Sequence, residues 1–141
     1  RLVFRTILHD DAGMNLEHLG LNHPDAVAAA AWYEQNLGMR IARKFGPPGN
    51  GHFLADAQGK MMLEFYHNAL APVPDFKALN PMSFHVAFQV DDVAAARDRL
   101  VKAGATAQGN VTSNDDGDQL AMVRDPWGLP VQLVKRTKAM I

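Results

Sequence analysis

The feature that most constrains this chain is an internal repeat. Leu16–Asp25 reads LEHLGLNHPD and Ser83–Asp92 reads SFHVAFQVDD. His18 falls on His85 and Asp25 on Asp92, both at an offset of 67 residues. Each segment is a short apolar strand pattern that ends in an acidic residue at the start of a helix pattern. Asp25 and Asp92 are placed to cap those helices. The two helix patterns are Ala26–Leu37, stopped by Gly38, and Val93–Ala103, stopped by Gly104. Alanine favours the helix, and glycine is the usual residue just past its end.

After each glycine the pattern becomes strand-like three times. The first half gives Met39–Phe45, Gly51–Ala57 and Lys60–Tyr66. The second gives Thr106–Thr112, Gln119–Arg124 and Pro130–Lys135. Turn signals separate them: PPGN at Pro47–Asn50, QG at Gln58–Gly59, NDDGD at Asn114–Asp118 and DPWG at Asp125–Gly128. Each half therefore reads strand, helix, strand, strand, strand. The expected fold class is α+β, built from two pseudosymmetric βαβββ modules. Residues 16–66 form the first module, 67–81 a proline-bearing linker and 82–136 the second. Residues 1–15 are an arm or an extra strand, with Leu2–Leu8 as its strand pattern, and 137–141 are a tail.

Composition narrows the chemistry. The 141 residues suit one domain, and 48% hydrophobic with 21% charged residues is ordinary for a globular chain. A net charge of -1 provides no basic field for nucleic acid or an anionic membrane. No apolar run is long enough to span a bilayer. There is no cysteine, so thiolate metal sites, cysteine nucleophiles and disulfides are excluded. Six histidines and fifteen acids remain, and any metal must be held through N and O atoms. The chain is read as cytoplasmic, with secretion or the periplasm left open because it begins at Arg1.

Strand alternation picks out four of these polar residues. In Ser83–Val90, Phe84, Val86, Phe88 and Val90 share the face expected under a helix, which leaves His85 on the other. In Met61–Tyr66, Met62, Glu64 and Tyr66 share one face, so Glu64 is a carboxylate within an apolar strand. Gln132 alternates with Val131 and Leu133, and His18 with Leu19 and Leu21. Glu64 maps to Gln132 at an offset of 68, within one residue of the histidine offset. A single strand histidine or glutamate is more often structural or solvent-facing. The matched spacing across a repeat is what favours a shared role for His18, Glu64, His85 and Gln132. Two imidazoles, a carboxylate and an amide oxygen suit one divalent ion, with Zn, Ni, Co, Fe(II) and Mn all chemically possible.

From Leu16 to Lys135 the chain resembles the vicinal oxygen chelate superfamily, the glyoxalase, bleomycin-resistance and dioxygenase group. LEHLGLNHPD, WYEQNLGM at Trp32–Met39, LEF at Leu63–Phe65, HVAFQVDD at His85–Asp92 and DPWGLPVQL at Asp125–Leu133 carry the resemblance. It implies paired modules around an open, U-shaped mixed barrel, with ligands on the first and fourth strands of each. Those positions match His18, Glu64, His85 and Gln132. The family's usual fourth ligand is glutamate, so Gln132 departs from the pattern and leaves Glu64 as the candidate base.

A glyoxalase-type lyase or isomerase is the expected function. An extradiol-type dioxygenase and a non-catalytic, drug-sequestering binding protein are the alternatives. Met62, Tyr66, Asn68 and Trp127 are the candidate substrate contacts. Asn68 matches a glutathione-contacting position, while Asn22 stands where such enzymes carry an arginine. A small-molecule substrate and a homodimer are the expected partners. Of the other histidines, His23 and His52 are expected at the surface, His67 on the face opposite Glu64, and His9 in the arm. Arg97, Arg99 and Lys102 are expected to form a solvated helix face, and Trp32 and Tyr33 to pack helix against sheet.

Overall fold

The computed structural model describes residues 13–141. The expectations for Leu2–Leu8 and His9 lie outside the described residues. The chain divides between Ala71 and Pro72 into two units. Each is a four-stranded open sheet covered by one helix.

In the first unit the elements are β1 (His18–Asn22), α1 (Ala26–Leu37), β2 (Arg40–Lys44), β3 (His52–Ala55) and β4 (Met62–Tyr66). The sheet order is β1-β4-β3-β2. β1 and β4 are parallel, and the other two pairings are antiparallel. The second unit repeats this plan with β5 (Val86–Gln89), α2 (Val93–Lys102), β6 (Thr106–Ser113), β7 (Gln119–Arg124) and β8 (Pro130–Lys135), in the order β5-β8-β7-β6. The twofold βαβββ plan read from the repeat is therefore the observed one.

Both helices begin as the sequence indicates. The Asp25 carboxylate accepts from the Ala28 N–H at 3.0 Å, and that of Asp92 from the Ala95 N–H at 2.9 Å. Each bond satisfies one of the amides that a helix start leaves without an intrahelical partner. α1 ends at Gly38 in the left-handed conformation, φ 66°. Ala26, Ala29, Ala30 and Tyr33 turn toward the sheet and are buried, as are Leu21, Leu54, Leu63 and Phe65. Tyr33 packs on Phe65 in a tilted contact, with ring centroids 4.9 Å apart. In the second unit Val93, Ala96 and Leu100 are buried, as are Val123, Val131 and Leu133. Each fully buried Leu or Phe side chain contributes about 2–3 kcal/mol. These apolar residues alternate along the strands, so each helix takes one face of its sheet and leaves the other for polar residues.

Three local details differ from the sequence reading. β5 starts at Val86 rather than Ser83, because the Ser83 and Phe84 amides turn back to the Asn80 carbonyl. Arg97 is not simply solvated: its guanidinium donates to the Gly109 carbonyl at 2.9 Å. The Phe76–Ala78 stretch forms a short 3-10 turn with Phe76 buried. Arg124 holds that stretch in place. Its guanidinium donates to the carbonyls of Phe76 at 3.1 Å, Leu79 at 2.8 Å and Gly128 at 3.0 Å. Among the described residues no helix is long and apolar enough to cross a membrane.

The DPWG turn shows why its residue types recur together. The buried Asp125 carboxylate accepts from the Trp127 and Leu129 amides, both at 2.9 Å. Gly128 follows at φ 99°, and a Cβ there would strike Lys77, whose N and Cα lie 2.9 Å from its position. Two penalties thus coincide, a left-handed backbone and a contact with main chain that cannot rotate away. Gly128→Ala is expected to lower unfolding stability by about 2–4 kcal/mol in chemical denaturation. A loss below about 0.5 kcal/mol would show that the 3-10 turn yields freely.

Candidate active site

The polar face of the first sheet is organised by the parallel β1–β4 pairing. His18 is registered with Met62, Gly20 with Glu64 and Asn22 with Tyr66. Phe53 on β3 is registered with Glu64. This row brings two residues 46 positions apart in sequence together: His18 Nε2 lies 3.4 Å from Glu64 Oε2. The His18 ring also meets Phe53 edge-on, with centroids 5.2 Å apart.

Glu17, which the sequence reading did not single out, sets the orientation of that imidazole. His18 Nδ1 donates to Glu17 Oε1 at 2.9 Å, which fixes the ring with Nε2 turned toward Glu64. Alternation sends neighbouring side chains to opposite faces of a strand, so no sequence pattern marks Glu17 as a partner of His18. The Glu64 carboxylate lies between two glycines. A Cβ at Gly20 would sit 3.4 Å from Oε2 and 3.3 Å from the Tyr66 ring, and one at Gly51 would sit 3.8 Å from Oε1. The two glycines leave space around both carboxylate oxygens.

Glu64 and Tyr66 open into a cleft of about 600 Å³, shared with Phe45, Pro48, Asn68 and Leu70. His67 follows the end of β4 and also borders the cleft, with its ring Nδ1 donating to the His23 carbonyl at 3.1 Å. Asn68 lines the cleft at the rim, with its Oδ1 accepting from the Leu70 amide at 2.9 Å. Asn22 holds the turn that carries it. Its Nδ2 donates to the Asn68 and Ala71 carbonyls, at 3.1 and 3.0 Å, and its Oδ1 accepts from the Asn68 amide at 2.8 Å. Met62 is on the same face, next to His18.

In the second unit Ala87 is registered with Gln132, and Gln132 with Met122. These are the counterparts of Gly20, Glu64 and Phe53. His85 lies immediately before β5. Its Nδ1 donates to the Pro81 carbonyl at 2.7 Å, which leaves the lone pair on Nε2. Trp127 is half-buried in the β7–β8 turn. Among the described residues no group of three or more His, Asp or Glu side chains is placed to hold a metal ion by itself. The first unit supplies His18 with Glu64, and the second carries His85 and Gln132.

The donors of the first unit fit a divalent ion. Metal–N and metal–O bonds of about 2.0–2.2 Å put neighbouring donors roughly 3–3.5 Å apart. The 3.4 Å from His18 Nε2 to Glu64 Oε2 is that spacing. A histidine oriented by a carboxylate through its other nitrogen is the usual arrangement around bound zinc.

A model of the Glyoxalase/Bleomycin resistance protein/Dioxygenase superfamily matches residues 15–133. The chain belongs to this superfamily. An ethylmalonyl-CoA/methylmalonyl-CoA epimerase from Cereibacter sphaeroides is 33% identical over 100 residues, covering 67% of this chain and 75% of that protein. Among solved structures, TnmS3, an antibiotic binding protein from Streptomyces sp. CB03234, matches with TM-score 0.68 and 20% identity, covering 89% of this chain and 98% of that one. A glyoxalase I mutant from Zea mays matches with TM-score 0.71 and 21% identity, covering 88% of this chain and 46% of that one. At these identities the two structures show a shared fold.

Two other histidines are buried, contrary to the surface positions expected for them. His52 is 7% exposed and its Nδ1 donates to the Asn50 carbonyl at 2.6 Å. His23 is 1% exposed, with its ring edge-on to Phe65 at 5.4 Å. The Asp25 amide donates to His23 Nδ1 at 3.0 Å. Both sit where a turn meets the apolar layer under α1, which a local turn signal does not reveal. Burial holds the His23 pKa below its ordinary value of 6.5, against the opposing pull of the Asp25 charge. The unfolded chain therefore takes up a proton that the folded one refuses. Stability is complete above pH 6.5 and falls as pH drops from there toward the folded pKa, by at most about 1.4 kcal/mol per pH unit. Urea denaturation from pH 7.5 to 5 is expected to show this slope, and His23→Asn to flatten it. An equal slope in both proteins would assign it elsewhere.

Proposed function

We propose that this chain is a divalent-metal-dependent lyase or isomerase of the glyoxalase type, acting on a small carbonyl substrate by proton transfer. The carrying observation is the His18–Glu64 pair, at 3.4 Å, beside an open cleft and with the imidazole oriented by Glu17. His18, Glu64, His85 and Gln132 are the residues that would hold the ion, in a homodimer. The ion would act as a Lewis acid on two adjacent substrate oxygens and stabilise the enediolate left by proton removal.

Glu64 is the base in this reading. Its carboxylate takes the proton from the carbon next to the polarised carbonyl and releases it to the former carbonyl carbon, while the hydroxyl proton passes to the neighbouring oxygen; the two transfers together complete the isomerisation with no net change in charge. A carboxylate bound to a cation is a weak base, so Glu64 must loosen its hold to act. Gly20 and Gly51 give it that room. Tyr66, in contact with the Gly20 position, lines the cleft around the substrate, with Asn68 at the rim and Met62 on the same face beside His18. Gln132 stays neutral and can serve only as a carbonyl donor.

Metal analysis of the purified protein tests this reading. Close to one divalent ion per chain is expected, with at least about a tenfold loss of affinity in His18→Ala and in His85→Ala. Glu64→Gln should keep the fold and lose about 100-fold or more in turnover of a hemithioacetal or α-hydroxy carbonyl substrate. Unchanged metal content in His85→Ala would break the four-residue set. Protein without stoichiometric metal, and indifferent to added ions, would favour sequestration, and oxygen uptake with catechols would favour a dioxygenase.

A further inference from the structure

The face that carries His18 and Glu64 continues across the sheet to β2. Arg40 is registered with Ala55, Ile41 with Leu54 and Arg43 with Phe53, with a bulge between Ile41 and Arg43. Ala55 and Phe53 are registered in turn with Met62 and Glu64, and those with His18 and Gly20. Two rows therefore cross the sheet. One runs His18, Met62, Ala55, Arg40, and the other Gly20, Glu64, Phe53, Arg43.

In a regular strand, residues three apart point to opposite faces. Arg40 and Arg43 share a face because Ala42 is the extra residue of the bulge, and re-aiming a side chain is what bulges do beside functional sites. Both arginines are exposed, and neither pairs with any described residue. Arg99 on α2 is exposed and unpaired among the described residues as well, but Arg97, Arg124 and Arg136 behave otherwise. They donate to the Gly109 carbonyl, to three carbonyls around the 3-10 turn and to Asp118.

We propose that Arg40 and Arg43 form an oxyanion-binding wall of the active site, gripping a carboxylate or phosphate group of the substrate. The identification of that group as part of a substrate rests on the function proposed for Glu64. The grip itself rests on the register, the bulge and the two unpaired guanidiniums. β4 and β2 are two strand spacings apart, so the anion sits roughly 10 Å from the carbon at Glu64. Ala55 and Phe53 floor the gap, one small and one flat. Guanidinium forks suit this task because they meet both oxygens of a carboxylate or phosphate at once. The cleft beside Glu64, at the β2–β3 loop, has no lysine or arginine among the described residues of its lining. Selection for an anionic substrate therefore comes from β2.

Lys44 provides an internal control. It lies on the same strand but is registered with the buried His52, on the helix side of the sheet. If the three cations only guard the edge strand against pairing, all three are equivalent. If Arg40 and Arg43 bind an anion, Lys44 is not equivalent to them.

Isothermal titration of the metal-loaded chain with malonate and, separately, with coenzyme A tests the proposal and distinguishes a carboxylate from a phosphate source. Wild type is expected to bind at least one probe. The double variant R40Q/R43Q should bind it about tenfold or more weakly, and K44Q within about twofold of wild type. Metal affinity should be unchanged in both variants. Wild-type affinity in R40Q/R43Q, an equal loss in K44Q, or no wild-type binding of either probe would overturn the proposal. His18→Ala separates the two readings. Arginine-dependent probe binding that survives there upholds the anion wall whatever becomes of the metal site.

Discussion

Everything in the first unit depends on the parallel pairing of β1 with β4. Parallel neighbours cannot be joined by a tight turn, and here the connection carries α1 and two further strands. The helix needs an apolar face to lie on, and Leu21, Leu63 and Phe65 supply it. Strand alternation then sends His18, Gly20, Glu64 and Tyr66 to the other side together. The same pairing that closes the core builds the polar row, so shifting β1 by one residue would bury His18 and expose Leu19 and Leu21. Fold and site cannot vary independently here.

The two units repeat this architecture with different chemistry. Gly20, Glu64, Phe53 and Arg43 correspond to Ala87, Gln132, Met122 and Gln108. The charged members are in the first unit and their counterparts are neutral. Gln108 accepts a hydrogen bond from Arg124 Nε at 2.7 Å, which ties it into the clamp on the 3-10 turn. The acid of the second unit that departs most from ordinary behaviour is Asp118, which is structural. The Thr137 amide and the Arg136 guanidinium hold its pKa down to about 2, and it fastens the end of β8 to the β6–β7 turn. The duplication has kept the scaffold twice and the ionisable pair once.

Much of this was legible in the sequence because it depends on local rules. The caps at Asp25 and Asp92, the glycine stop at Gly38 and the bounds of α1, β7 and β8 follow from propensity, capping and alternation. The pairing of His18 with Glu64 was legible only through the repeat, since nothing local links residues 46 apart. His23 and His52 were misread because their burial comes from α1 and Phe65, not from the turns that contain them. The role of Asn22 could not be read from its position beside His18, because its partners Asn68 and Ala71 lie beyond β4.

The bulge in β2 shows where sequence reading stops. RIARK has no apolar alternation to set a register, and regular alternation would place Arg40 and Arg43 on opposite faces. The register comes from β3, whose Leu54 is committed to the core, so Ile41 opposite it is committed as well. Phe53 next to Leu54 must then face the polar side, and Arg43 opposite Phe53 follows it. Ala42, small enough to be extruded, takes up the extra residue. A core leucine on one strand thus decides where an arginine on the next strand points. A strand read alone cannot reveal which of its charges belong to the site, whereas the sheet it joins can.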